Sequence, residues 1–134
     1  MFQKQMQAQS ITAAPEREKT ILVVEDDAEI GAFLVQALQQ ETSYAVRLVT
    51  DSLQAFNAIR GFRPHLLLLD YQLPDINGID LYDKLHALPG FEAIPCIIIS
   101  ARLPFREIKK RVLVGLSKPF DLLELLAKIG KLLA

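Results

Sequence analysis

His65-Leu66-Leu67-Leu68-Leu69-Asp70 sets four consecutive leucines before an aspartate. Adjacent side chains on a strand point to opposite faces, so this run has to be buried on both. A parallel sheet covered by helices on each side provides that burial. Sheets of this kind gather their chemistry just outside the carboxyl ends of the strands. Asp70 stands at such an end, either as a reacting carboxylate or as a plain solvated strand end or helix cap. Its company decides.

Outward from this run, strand and helix patterns alternate. Upstream, Ile21-Leu22-Val23-Val24 ends abruptly in Glu25-Asp26-Asp27. Ala28 to Gln40 then repeats Ile30, Phe33, Leu34, Ala37 and Leu38 at helical spacing. Ala45 to Val49, with Arg47 between Val46 and Leu48, reads as a half-exposed edge strand. Asp51-Ser52 offers an N-cap for a helix with Leu53, Phe56 and Ile59 inward. Downstream, Pro74 and Asn77-Gly78 mark a loop before a helix carrying Leu81, Leu85 and Leu88, closed by Pro89-Gly90.

Ile94 to Ser100 is a fourth strand, and Arg102 to Arg111 holds a short helix with Phe105 and Ile108 inward. Val112 to Leu116 is a fifth strand. Asp121 opens a last helix with Leu122, Leu125, Leu126, Ile129 and Leu133 on one face. Five strands alternating with helices predict an α/β fold, a doubly wound five-stranded parallel sheet.

The totals bound this reading. A chain of 134 residues, 51% hydrophobic, is one domain with a tail and can bury a core without staples. Residues 1–19 carry Gln, Ala and mixed charge without an apolar face, predicting a flexible tail. A short partner-binding helix from Met1 to Gln9 is the alternative there. The single cysteine, Cys96, lies in the run Ile94 to Ile99 and reads as core packing. No apolar stretch approaches the ~20 residues that span a bilayer, and the N-terminus has no signal-peptide pattern, so a soluble cytoplasmic protein without membrane contact is expected. A net charge of −1 gives no reason to expect nucleic acid.

Polar residues recur at the same end of four strands: Glu25 and Asp26 after the first, Asp70 after the third, Ser100 after the fourth and Lys118 after the fifth. Singly, each has a plain reading as a cap, a turn or an exposed lysine; Asp27 caps the first helix in any case. Together at one sheet edge they suit phosphoryl transfer onto a carboxylate. Crowded acids call for a hard cation, and Mg²⁺ takes one or two carboxylates with a backbone carbonyl and waters. Asp70 would attack phosphorus, the metal and Lys118 would neutralise the transferring group, and Ser100 would donate to it. Added phosphate charge would then draw the end of the fourth strand toward it.

The chain from about Thr20 onward closely resembles the receiver domain of two-component response regulators, CheY-like and single-domain in type. The resemblance rests on Ile21 to Asp27, on Leu68-Leu69-Asp70-Tyr71-Gln72-Leu73-Pro74-Asp75-Ile76-Asn77-Gly78, on Ser100-Ala101 and on Lys118-Pro119-Phe120. It implies a flavodoxin-like sheet of order 2-1-3-4-5 over residues 20–134. It also implies Asp70 as phosphoacceptor, Asp26 on Mg²⁺ directly, Glu25 through water, and the backbone carbonyl of Gln72 as a further ligand. Ser100 is then the switch hydroxyl and Lys118 the phosphate-pairing lysine, joined to Pro119 by a cis bond. Pro74 and Gly78 shape the loop beyond the acceptor.

The implied donor is a sensor histidine kinase or a histidine phosphotransfer protein, docking on the first helix and the Pro119-Phe120 loop. Such a domain is no enzyme on a separate substrate; it catalyses its own phosphotransfer and slow dephosphorylation. Two departures stand out. The fourth helix is shortened, and Gly115, three residues before Lys118, replaces the family's switch aromatic.

The leading expectation is a stand-alone receiver, monomeric or weakly dimeric, signalling to an unknown downstream protein. A receiver fragment of a larger regulator and a phosphorylation-independent binding module are the alternatives. A hydrolase of the haloacid-dehalogenase type wants an acid where Gln72 stands, and a flavin or nucleotide binder wants a Gly-rich loop where Glu25-Asp26-Asp27 would repel phosphate. Arg102, Arg106, Lys109, Lys110 and Arg111 crowd the clipped helix against Glu107, forming a solvated face or an acidic-partner surface. Leu123 falls off the stripe of the last helix, and His65 and His86 read as incidental.

Overall fold

Every residue of the leucine run and its terminal aspartate is buried, and together they form a strand at the centre of the sheet. The structure, a computed structural model, describes residues 19–134. The expected tail and the alternative helix at Met1 to Gln9 fall outside the described residues, apart from Lys19. That residue belongs with the fold, because its carbonyl accepts the Ala45 N–H at 2.8 Å.

The elements in chain order are β1 (Thr20–Val24), α1 (Ala28–Glu41), β2 (Ala45–Val49), α2 (Ser52–Ala58) and β3 (Leu66–Asp70). They continue with α3 (Gly78–His86), β4 (Cys96–Ser100), α4 (Phe105–Lys109), β5 (Leu113–Ser117) and α5 (Leu122–Leu133). All strand pairings are parallel, in the order β2-β1-β3-β4-β5. This is the doubly wound, flavodoxin-like sheet that the sequence predicts.

Strand periodicity divides the core in two. Leu67 and Leu69 join Leu22, Val24, Cys96 and Ile98 against α2 and α3. Leu66 and Leu68 join Ile21, Val23, Ile97, Ile99 and Leu116 against α1 and α5, through Leu34, Leu38, Leu125 and Ile129. Cys96 is thus a core residue, and burial pushes its thiol well above the usual range. Every helix but α4 begins where an acid or amide caps it. Asp27 accepts from the N–H groups of Glu29 and Ile30, Asp51 from Gln54, Asn77 from Asp80 and Asp121 from Leu123.

The edge strand β2 matches its pattern. Arg47 is exposed at mid-strand, its guanidinium 5.1 Å from the Phe62 ring centroid.

Four apolar side chains depart from their expected orientation. Phe105 is 66% exposed and Leu53 65% exposed, although helical spacing points both inward. Their helices are too short for periodicity to choose a face: α4 has five residues and α2 has seven. Phe33 on α1 is half-exposed at the margin of its apolar stripe. Val112, assigned to the fifth strand, is 88% exposed and precedes it. Leu123 is exposed, as its position predicts.

His86 is not incidental. Its Nδ1 lies 2.9 Å from the Tyr82 carbonyl and its Nε2 2.6 Å from the Ile94 carbonyl, tying the end of α3 to the approach to β4. His65 likewise accepts the Thr20 N–H at 3.0 Å.

If the run is buried on both faces, neighbouring leucines fail alike. Leu67→Ala and Leu68→Ala each lower the unfolding free energy by about 2–5 kcal/mol in urea melts. Leu53→Ala stays within about 0.5 kcal/mol of the parent. A large loss from only one of the two leucines would contradict the two-sided core.

Candidate functional site

Parallel register brings the strand ends together. Val24 pairs with Leu69 and Asp70 with Ile99, so the residues just beyond β1, β3 and β4 share one edge. Ser100 and Ser117 are register partners, and the Lys118 N–H donates to the Ser100 carbonyl at 2.9 Å. Glu25, Asp26, Asp70, Ser100 and Lys118 are therefore carried by the rigid part of the fold.

Within this edge, Glu25, Asp26 and Asp70 offer carboxylate oxygens that all lie within 4.8 Å of one another. Glu25 and Asp70 are buried and Asp26 is exposed. The Lys118 ammonium reaches across them, 3.3 Å from Asp70 Oδ1 and 3.6 Å from Glu25 Oε1. Asp70 Oδ1 also accepts the Gln72 N–H at 3.3 Å. The Lys118–Pro119 peptide is cis.

Glu25 Oε2 accepts the Asp27 N–H at 3.1 Å, while its buried Oε1 has no hydrogen-bond partner. Burial pushes this carboxyl up to about 7, helped by the charge of Asp70 and opposed by the Asp27 N–H and by Lys118. Three hard oxygen donors, one of them buried without a hydrogen bond, fit a small divalent cation of the Mg²⁺ type.

Ser100, buried beside this cluster, is engaged locally. Its hydroxyl donates to the Arg102 carbonyl at 2.9 Å and accepts the Arg102 N–H at 3.1 Å. The loop behind Asp70 depends on Gly78. An added Cβ there would lie 2.5 Å from the Asp70 carbonyl oxygen, while the Gly78 N–H donates to the Tyr71 carbonyl at 2.7 Å. Asp75 fastens the same loop to α2 by accepting the Ser52 hydroxyl and N–H, contacts that hold its carboxyl below the usual range.

A sequence profile described as a response regulator receiver domain matches residues 21–130. The chain belongs to the response regulator receiver family. It is 34% identical over 113 residues to the DNA-binding response regulator MtrA of Mycobacterium tuberculosis, covering 81% of this chain and 48% of that protein. It is 36% identical over 120 residues to the DNA-binding transcriptional regulator NtrC of Rhizobium meliloti, covering 86% and 24%. Protein Rrf1 of Nitratidesulfovibrio vulgaris is 29% identical, covering 85% and 82%.

The chain therefore spans about half the length of MtrA and most of Rrf1. Among solved structures, the chemotaxis response regulator CheY4 of Vibrio cholerae superposes with a TM-score of 0.78 at 21% identity, covering 86% of this chain and 98% of that one. The HemR receiver domain of Leptospira biflexa gives 0.77 at 28% identity, covering 87% and 95%. No helix of the described residues is long and apolar enough to cross a membrane.

Two contacts that hold this receiver together have no signature in the sequence. Arg111 donates through Nε and one terminal nitrogen to both oxygens of Asp83, each at 2.7 Å, and through its other terminal nitrogen to Glu107. The Ser52–Asp75 contact is the second. Arg111–Asp83 and Ser52–Asp75 join residues 28 and 23 positions apart, which no local spacing announces.

The raised Glu25 carboxyl has a measurable sign. The folded protein holds that proton more tightly than the unfolded chain does. Its contribution to stability is full below the ordinary value of 4.5 and is lost as pH rises through about 7. In EDTA, Glu25→Gln removes this decline and gains about 1–3 kcal/mol over the parent near pH 8, with little gain near pH 5, in urea melts. An equal gain at both pH values would refute the buried-proton account. At the loop, Gly78→Ala costs about 1–3 kcal/mol by the same measurement, because backbone rather than a movable side chain fills the space.

Proposed function

We infer that this receiver is a phosphorylation-dependent signalling switch with Asp70 as its acceptor. The observation that carries this reading is Asp70 itself, buried at a strand end between two further acids and an ammonium 3.3 Å from its Oδ1. In the proposed step, an Asp70 carboxylate oxygen bonds to the phosphorus of a phosphohistidine. The P–N bond breaks, and the imidazole leaves with its electron pair and takes up a proton. Lys118 balances charge on the transferring oxygens, and Ser100 turns its hydroxyl to one of them.

Asp26 and Asp70 would hold Mg²⁺ directly, with Glu25 through water and the Gln72 backbone carbonyl completing the protein's share. Bound there, the ion neutralises the clustered acids and screens the incoming phosphoryl charge. No separate substrate is turned over. The domain assists its own modification and its slow loss.

The donor is a sensor histidine kinase or a phosphotransfer protein. A cleft of about 530 Å³ beside the acids supports docking there, lined by Ile30, Phe33, Ala101, Lys118, Pro119 and Phe120. Its walls come from α1 and the loop after β5, and half-exposed Phe33 gives it an apolar rim. Output passes to a downstream protein by contact. Rrf1, most of whose length the chain covers, supports a receiver that works alone, and MtrA supports one that works inside a longer regulator.

Incubation with acetyl phosphate and Mg²⁺, followed by intact mass measurement, tests the acceptor. One phosphoryl group is added to the parent and none to Asp70→Asn, and the gain disappears when EDTA replaces Mg²⁺. An unchanged parent mass under donor excess would leave the binding-module reading in its place.

A further inference from the structure

Gly115 lies under the shortened fourth helix, and the space above it is taken. A Cβ built on Gly115 would lie 3.1 Å from Ile108 Cδ1 and 3.2 Å from each Leu103 methyl. Two aliphatic side chains from the segment between β4 and β5 thus occupy the place where a side chain on β5 would project. Both are half-buried, and Ile108 joins the core on the α2–α3 side of the sheet.

The two ends of this segment are held differently. At its far end the Arg111 guanidinium forms a fork on Asp83 of α3, both bonds at 2.7 Å, and a further bond on Glu107. That pairing raises the guanidinium further above its usual range and lowers the Asp83 carboxyl. At its near end the hold is the Ser100 hydroxyl, in its pair of hydrogen bonds with the Arg102 backbone. Between them, the Phe105 N–H donates to Leu103 and the Ile108 N–H to Pro104, each at 3.0 Å. The segment is pinned by charge at one end and latched by a single hydroxyl at the other.

We propose that Leu103 and Ile108 form a plug on Gly115 that reports the state of Asp70. When the Ser100 hydroxyl turns to a phosphoryl group on Asp70, it releases Arg102. Leu103 then lifts from Gly115 and Ile108 follows, the segment pivoting at the Arg111–Asp83 fork. The plug does by movement of an aliphatic segment what no side chain at position 115 can do here. The proposal rests on the Asp70 phosphoacceptor reading and names how that site is heard at the surface. The lifted segment carries exposed Arg102, Phe105, Arg106 and Lys109, so its displacement reshapes a basic and apolar face.

Residue-resolved hydrogen exchange with and without beryllofluoride and Mg²⁺ tests this, alongside intact mass after acetyl phosphate. With the phosphoryl mimic, the Arg102, Phe105 and Ile108 amides exchange about three- to tenfold faster, the loss of one hydrogen bond's worth of protection. The Ala87 amide, bonded to the Asp83 carbonyl on the fixed side of the fork, keeps its rate; acceleration there would remove the pivot. In Leu103→Ala the Phe105 and Ile108 amides exchange fast in both states, while the Arg102 amide still responds because the Ser100 hydroxyl holds it. The mass gain persists, since Leu103 lies outside the acceptor cluster. In the unmodified protein, Ser100→Ala speeds the Arg102 amide.

A parent that gains mass without change at the three amides overturns the plug. So does a Leu103→Ala protein whose Phe105 and Ile108 amides respond to the mimic as the parent's do. A parent that gains no mass refutes the acceptor reading, and the plug with it.

Discussion

Repulsion among Glu25, Asp26 and Asp70 is the constraint around which the strand ends are arranged. Two unit charges 4.8 Å apart near a protein surface repel by about 3 to 4 kcal/mol at an effective dielectric of about 20. Burying a leucine or isoleucine side chain contributes roughly 1.5–3 kcal/mol. A few core residues of β1 and β3 therefore suffice to hold the acids where they do not favour being. Lys118 offsets part of the strain by reaching both Asp70 and Glu25. What it leaves over appears in Glu25, whose carboxyl holds its proton to about 7 and whose Oε1 has no hydrogen-bond partner. A site that repels itself when empty is one that a cation or a phosphoryl group with its cation can rearrange.

The site edge and the answering segment are built from different materials. Strand ends on the buried sheet position the acids, and the sheet has little freedom to move. Opposite them, α4 is a single turn and a half, with no side-chain cap at Pro104 and no fully buried residue. Its place is set by the fork from Arg111, the Ser100 hydroxyl and two aliphatic side chains on a glycine. Low local stability belongs with elements that change position. The shortened helix and the glycine beneath it are one adaptation, because any larger residue at 115 would displace Leu103 and Ile108.

The sheet and the cluster were legible because both depend on patterns that survive in one dimension. Leu66 to Leu69 demanded two covered faces, and acids, serine and lysine at four strand ends had to share an edge once the strands were parallel. Gly115 was legible as an omission but not its consequence, since nothing near it in sequence says that Leu103 would fill the gap. Phe105 and Leu53 were misplaced because one or two helical turns leave the apolar face undetermined. In sequence Arg111 is one more basic residue of a solvated or acidic-partner face, whereas its fork on Asp83 bridges a separation of 28 positions. The same limit hid Ser52 and Asp75. Ion pairs and hydrogen bonds between distant segments follow from the fold and are visible only after it.

The sheet ends in two edges that are protected unequally. On β2, Arg47 sits exposed at mid-strand over the Phe62 ring, and a foreign strand laid alongside would have to desolvate that guanidinium. On β5 no charged side chain interrupts Leu113 to Ser117. Misassembly by strand templating is thus blocked at one side of the molecule by a fixed charge. The other edge has no such charge within its strand.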